Sequence, residues 1–246
     1  YNIEFDANTG TGSKSNVVCE YNQNCDISNN EITKTGYRFV GWSANENGNN
    51  SPIYSPSSDN KIIVQNLTDE DNATVKLYAV WEIRNYNIRY EIGAARLSAP
   101  NPNTYNTTTP EFTLNNPELY GYQFKGWCLG DSSCNDPDTE YVFRGAENTG
   151  DKVFYAKFDA IVYTITYKDV AENGATHEIS GLSPVQYTVQ DNVVYPTNVP
   201  NTEHNTGADL RYEFAGWSTN PDSSDITYGF TPGKTGNITV YATWNV

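Results

Sequence analysis

A chain of 246 residues with 15 basic against 30 acidic side chains carries a net charge of −15 and repels phosphate backbones and anionic headgroups, which sets nucleic acid aside as a partner. No apolar run approaches the roughly 18 residues that cross a bilayer, so no membrane insertion is expected within the chain, and nothing at its N-terminus reads as a signal peptide. With 19 Tyr, 18 Gly and 12 Pro, and no apolar pattern holding a helical period beyond about one turn, the composition excludes a helix bundle and points to a β-rich, turn-rich fold.

Tyr1-Asn2-Ile3-Glu4-Phe5 alternates strictly and reads as a strand with Tyr1, Ile3 and Phe5 on one face, ended by the turn-forming run from Asp6 to Gly12. Residues 17–32 are irregular, hold the first cysteine pair and leave room for one helical turn near Ser28 to Ile32. Gly36-Tyr37-Arg38-Phe39-Val40-Gly41-Trp42 is the next strand. Tyr37 and Phe39, two apart, share a face, whereas strict alternation sends Trp42 to the other. A bulge or kink at Gly41 is expected to return the indole to the core, the alternative being burial under the following loop. The polar stretch 43–60 reads as a surface loop, and Lys61 to Val64 and Val75 to Trp81 close the unit as strands.

This order returns twice. Gly121 to Trp127 and Arg211 to Trp217 respell the heptad, with Arg211 in place of the leading Gly. Tyr86 to Tyr90 and Tyr163 to Tyr167 respell the opening strand, while Phe154 to Phe158 and Val240 to Trp244 respell the closing one. Openings lie 86 − 1 = 85 and 163 − 86 = 77 residues apart, and heptad tryptophans 127 − 42 = 85 and 217 − 127 = 90, so insertions sit in the connections. Three domains follow, 1–83, 84–160 and 161–246, each with a small core built on Tyr37, Phe39, Trp42 and Trp81, then Tyr122, Phe124, Trp127 and Phe158, then Tyr212, Phe214, Trp217 and Trp244. The junctions, Glu82 to Asn85 and Asp159 to Val162, leave too little slack for free tumbling, so a semi-rigid rod of three beads is expected. The chain has no Met and opens inside a predicted strand, which reads as a segment of a longer polypeptide.

The four cysteines form two pairs with five residues between partners, Cys19 with Cys25 and Cys128 with Cys134. Tight pairs in polar loops without a neighbouring His fit loop-closing disulfides better than zinc, with free thiols as the alternative. Disulfides would imply an oxidising, extracytoplasmic setting.

The run Tyr-x-Ile-x-Phe-Asp-Ala-Asn-x-Gly-x-Gly at residues 1 to 12, Thr-Lys-Thr-Gly-Tyr-x-Phe-x-Gly-Trp at 33 to 42 and Leu-Tyr-Ala-x-Trp at 77 to 81 resembles the Listeria-Bacteroides repeat, or B-repeat, family. The resemblance extends over the whole chain and weakens in the third unit. It implies a β-rich α+β fold of three tandem β-grasp-like repeats, each a small mixed sheet with at most one short helix, on secreted or wall-attached bacterial proteins. It also implies a non-catalytic stalk or adhesion segment with no shared catalytic residue.

The residues offer little for catalysis. His177 and His204 are the two histidines, both in loops of the third unit, with no local nucleophile motif, so neither a catalytic residue nor a cofactor is expected. Acidic runs at Asp69-Glu70-Asp71, Asp136-x-Asp138-x-Glu140 and Asp222-x-x-Asp225 supply oxygens for a structural calcium, or simply a solvated acidic surface. A different class of function, recognition of a glycan or host protein through the loops of one repeat, rests on loop rings, with Tyr21, Tyr54, Tyr105 and Tyr195 as candidates. Each unit keeps an edge strand, which leaves self-association open.

Overall fold

The computed structural model describes residues 1–28, 31–47, 53–171, 174–199 and 212–245. The first repeat contains β1 (Asn2–Asp6), β2 (Val17–Val18), β3 (Cys25–Asp26), β4 (Tyr37–Ser43), β5 (Ile63–Val64) and β6 (Thr74–Ile83). The middle repeat contains β7 (Tyr86–Glu91), β8 (Thr104–Tyr105), β9 (Phe112–Thr113), β10 (Tyr122–Leu129), β11 (Val142–Phe143), a 3-10 turn (Gly145–Glu147) and β12 (Lys152–Ala160). The third contains β13 (Tyr163–Val170), β14 (Thr176–Glu178), β15 (Gln186–Tyr187), β16 (Val193–Val194), β17 (Glu213–Ser218), β18 (Gly229–Phe230) and β19 (Ile238–Asn245). That turn is the one helical element among the described residues. Residues 29 and 30, within the stretch expected to form a helical turn, lie outside the described set, and Ser28, Glu31 and Ile32 are not helical.

Two compact units form, one from residues 1–90, 101–114 and 140–154, the other from 91–100, 115–139 and 155–246, so the middle repeat contributes to both. In the first unit, a mixed sheet runs β2-β1-β6-β4, with β1 parallel to β6 and antiparallel to β2, and β4 antiparallel to β6. In the second, β14-β13-β19-β17 has the same order, again with a parallel central pair, and β15 also pairs with β13. Alternation along these strands puts Ile3, Leu77 and Ala79 at zero exposure on the inner face.

The heptad departs from alternation where Gly permits it. Phe39 pairs with Trp81 and Trp42 with Ala79, and the register slips between Phe39 and Gly41. One extra residue in β4 therefore carries Trp42 to the same face as Phe39. The same slip lies between Phe214 and Gly216 in the third repeat. Trp42 is fully buried and its indole N–H donates to the Ile27 carbonyl at 2.8 Å, while Trp217 is 1% exposed and donates to the Pro196 carbonyl at 2.7 Å. Tyr37 and Phe39, expected in the core, are half-buried at its rim, as are Trp81, Tyr122, Phe124, Phe158, Tyr212, Phe214 and Trp244, because a four-stranded sheet of such short elements covers only its centre.

A two-stranded ribbon accompanies each sheet. Cys25 pairs with Val64 in β3-β5, Phe112 with Phe143 in β9-β11, and Val193 with Phe230 in β16-β18. Stretch 43–60 is not wholly a free loop: Tyr54 returns to β4 and exchanges backbone hydrogen bonds with Trp42 at 3.1 and 2.8 Å. Asp138 meets Trp127 and Thr227 meets Trp217 in the same way.

Candidate functional site

Each disulfide occupies a place where the other repeats make a non-covalent contact. Cys19 and Cys25 are bonded with Cα atoms 5.7 Å apart. Cys19 lies opposite Tyr1, its N–H donating to the Tyr1 carbonyl at 2.9 Å. Tyr105 lies opposite Tyr86, and Tyr187 opposite Tyr163, so these tyrosines hold the corresponding position. There the rings join sheet to ribbon, Tyr105 edge-on to Phe143 and Tyr187 edge-on to Phe230, both at 4.8 Å. In the first repeat the ribbon offers Val64 in place of those phenyl rings, and the cystine makes the join. The second cystine, Cys128–Cys134 with Cα atoms 5.3 Å apart, sits elsewhere in the repeat. Cys128 follows the heptad Trp, where Ser43 and Ser218 are buried and accept the N–H of Asn45 at 3.2 Å and of Asn220 at 3.1 Å. Both cystines are buried rather than in open polar loops, since Cys25 and Cys128 belong to strands. Replacing either pair by Ala is expected to cost about 2 kcal/mol in urea unfolding, the loop-closure value for so short a ring. Losses below about 0.5 kcal/mol for both pairs would sink the stabilising role.

The residues considered for chemistry do not converge. His177 is exposed on β14, opposite Asp169 in register, and His204 lies outside the described residues. Asp69, Glu70, Asp71, Asp136, Asp138, Glu140, Asp222 and Asp225 are exposed, or at the surface of their loops. Among the described residues no group of three or more His, Cys, Asp or Glu is placed to hold a metal ion. Several carboxylates act instead as turn builders: Asp26 accepts the Ser28 hydroxyl and N–H, Asp131 accepts those of Ser133, and these bonds hold both carboxyls below the usual range.

Two of the four candidate loop rings are buried. Tyr105 is 2% exposed and donates its hydroxyl to the Gly150 carbonyl at 2.6 Å, and Tyr195 is 4% exposed in the third core. Tyr105 belongs to the two-residue β8, too short to show alternation, and Tyr195 directly follows the equally short β16, so neither burial is marked by a period in the sequence. Tyr54 is half-buried, Tyr21 is 56% exposed, and the most exposed rings, Tyr228 at 73% and Tyr120 at 69%, were not singled out. Tyr21 borders an acidic hollow of about 380 Å³ with Asp69, Glu70 and Asp71, and Tyr228 borders a largely apolar and aromatic hollow of about 160 Å³ with Pro196 and Phe214.

Burial pushes the Tyr105 and Tyr167 phenols up to about 12 and raises Tyr54, Tyr90, Tyr187 and Tyr195 as well. A folded pKa above the unfolded one favours the neutral ring, so this stability is fully present below pH ~10 and is lost as the pH climbs toward 12. Circular dichroism and tyrosinate absorbance are expected to change together over that window. Gradual ionisation with the fold intact would contradict the burial.

The repeats meet at the glycine that leads the heptad. Gly36 and Gly121 are buried with φ of +77° and +78°, and their carbonyls accept the N–H of Arg84 at 2.8 Å and of Ile161 at 3.0 Å. Gly36 lies against the side chain of Thr107 in the next repeat, and Gly121 against Val189 in the one after, where an added Cβ would come within 2.6 Å of Val189 Cβ. Asn106 donates to Asn85 Oδ1 at 2.9 Å beside the first contact; Gln190 donates to the Tyr122 hydroxyl beside the second, and the Tyr120 and Thr235 hydroxyls bond at 2.8 Å. The sequence marks Thr107 and Val189 as equivalent positions, standing two residues after Tyr105 and Tyr187 respectively, without marking what either faces.

The Listeria-Bacteroides repeat domain model matches residues 1–79, 86–157 and 163–243. Two proteins of Evansella cellulosilytica are similar over the chain. One, provisionally named a Gly-rich membrane protein, is 23% identical across all of this chain and a quarter of its own length. The other, provisionally named a membrane protein, is 26% identical across 99% of this chain and 33% of its own length. The chain thus spans no more than a third of either relative. No helix among the described residues is long and apolar enough to cross a membrane.

Proposed function

Because the chain belongs to the Listeria-Bacteroides repeat domain family, matched three times in tandem, we propose that it is a non-catalytic repeat segment of a bacterial cell-surface or secreted protein, a stalk or spacer that also serves adhesion. The observation that carries this reading is the pair of junctions, in which two residues between strands, 84–85 and 161–162, and a buried Gly join one repeat to the next. Short, hydrogen-bonded junctions transmit orientation, and a spacer requires that. The repeats are taken as 1–83, 84–160 and 161–246 in a semi-rigid rod. Each is β-grasp-like, a reading supported by the central parallel pair with antiparallel flanks in the first and third sheets. Two buried cystines support an oxidising, extracellular location.

Small-angle scattering of the full chain tests the stalk. An asymmetric pair-distance distribution is expected, peaked near the width of one repeat and tailing to several times that distance, and a symmetric bell typical of a compact globule would rule the stalk out. A second reading, recognition of a glycan or host protein, is favoured by exposed Tyr21 and Tyr228 beside surface hollows. Saturable binding on a glycan array that survives high salt and is lost in Tyr21→Ala or Tyr228→Ala would transfer the function to those loops.

A further inference from the structure

We propose that Gly36 and Gly121 are docking seats, each receiving the following repeat through a β-branched side chain, Thr107 or Val189, so that neighbouring repeats protect one another against opening. The proposal deepens the stalk reading and rests on it for its purpose, but its geometry stands alone. Two junctions, built from different loops, repeat one arrangement: a buried left-handed Gly, a carbonyl taken by a linker N–H, and a Cα face covered by the residue two after a buried Tyr.

Shape rather than polarity selects the occupant. Thr and Val have nearly the same outline and a stiff χ1, so either fills the space above a bare Cα at little entropic cost. The Thr107 hydroxyl is buried and has no hydrogen-bond partner among the described residues, whereas Val189 places a methyl group in the corresponding spot. A polar group tolerated there without a bond marks a contact made by packing. The left-handed backbone by itself would also demand Gly, so a substitution at Gly36 or Gly121 cannot separate turn from seat. Changes on the partner side can.

Amide hydrogen exchange of the full chain, read at Arg84 and Ile161, is the test, because these N–H groups donate to the two seat carbonyls. Val189→Arg is expected to speed exchange at Ile161 by roughly 10-fold or more while leaving Arg84 unchanged, and Thr107→Arg to do the reverse. Thr107→Val should keep both protected. The Thr227 amide, bonded to the Trp217 carbonyl inside the third repeat, reports whether that repeat stays folded in the Val189 variant. If Thr227 loses protection too, Val189→Ala takes its place, and faster exchange at Ile161 alone is expected. Exchange at Ile161 and Arg84 that is indifferent to all these changes would overturn the seats. Combined with an extended scattering profile, that result would leave the stalk reading standing; a compact profile with the expected exchange would do the opposite.

Discussion

Trp42→Ala is expected to destabilise the first repeat by about 3–5 kcal/mol, the usual cost of truncating a buried aromatic. The ring is fully buried and lies 4.7 Å from Phe5 and 5.2 Å from Phe39, so the cavity would be lined by groups from β1 and β4 that are tied into the sheet and cannot collapse far. A second cost follows from the indole N–H. Its acceptor, the Ile27 carbonyl, would be left in a buried place without that donor. A domain of roughly 80 residues has little stability in reserve, so the loss removes most of what the repeat has. Chemical unfolding followed by circular dichroism, with amide exchange to locate the change, is the measurement. A loss under about 1 kcal/mol would show that the heptad Trp is not the anchor of the core.

Gly126→Ala is expected to cost about 2–5 kcal/mol, combining backbone strain with overpacking. Gly126 has φ of +138°, and a Cβ there would lie 2.6 Å from the Asp138 nitrogen and 2.8 Å from its oxygen. The obstacle is backbone, itself held by reciprocal bonds between Trp127 and Asp138 at 2.8 and 3.0 Å, so nothing can swing aside. Gly93, with φ of +58° and open space around its missing Cβ, is the matched control, and Gly93→Ala should cost only about 1–2 kcal/mol. Equal losses at the two positions in thermal unfolding would mean that the strand approach contributes nothing. A selective loss at Gly126 would establish that this Gly exists to let the loop strand close on β10.

Strand faces were legible wherever a strand was long enough to alternate. Tyr1 to Phe5 and Val75 to Trp81 announced their inner residues, and the triple recurrence announced three units. The heptad conflict between Phe39 and Trp42 even pointed to the bulge, because only an inserted residue at a Gly reconciles both rings with one face. The two-residue strands were not legible. Cys25 and Val64 pair across 39 positions, and Tyr105 and Tyr195 sit in segments with too few residues to show a period.

The sequence by itself determined the number of repeats, the β-rich class and the inward residues of the long strands, because each of these is written in local periodicity and in recurrence along the chain. Tertiary structure decided the rest: that each cystine takes the place of a contact made by other side chains in the sister repeats, and that Gly36 faces Thr107 and Gly121 faces Val189. The physical reason is separation. A contact between residues 68 or 71 positions apart, 189 − 121 and 107 − 36, exists only after the intervening strands have been placed, and no local pattern encodes that placement.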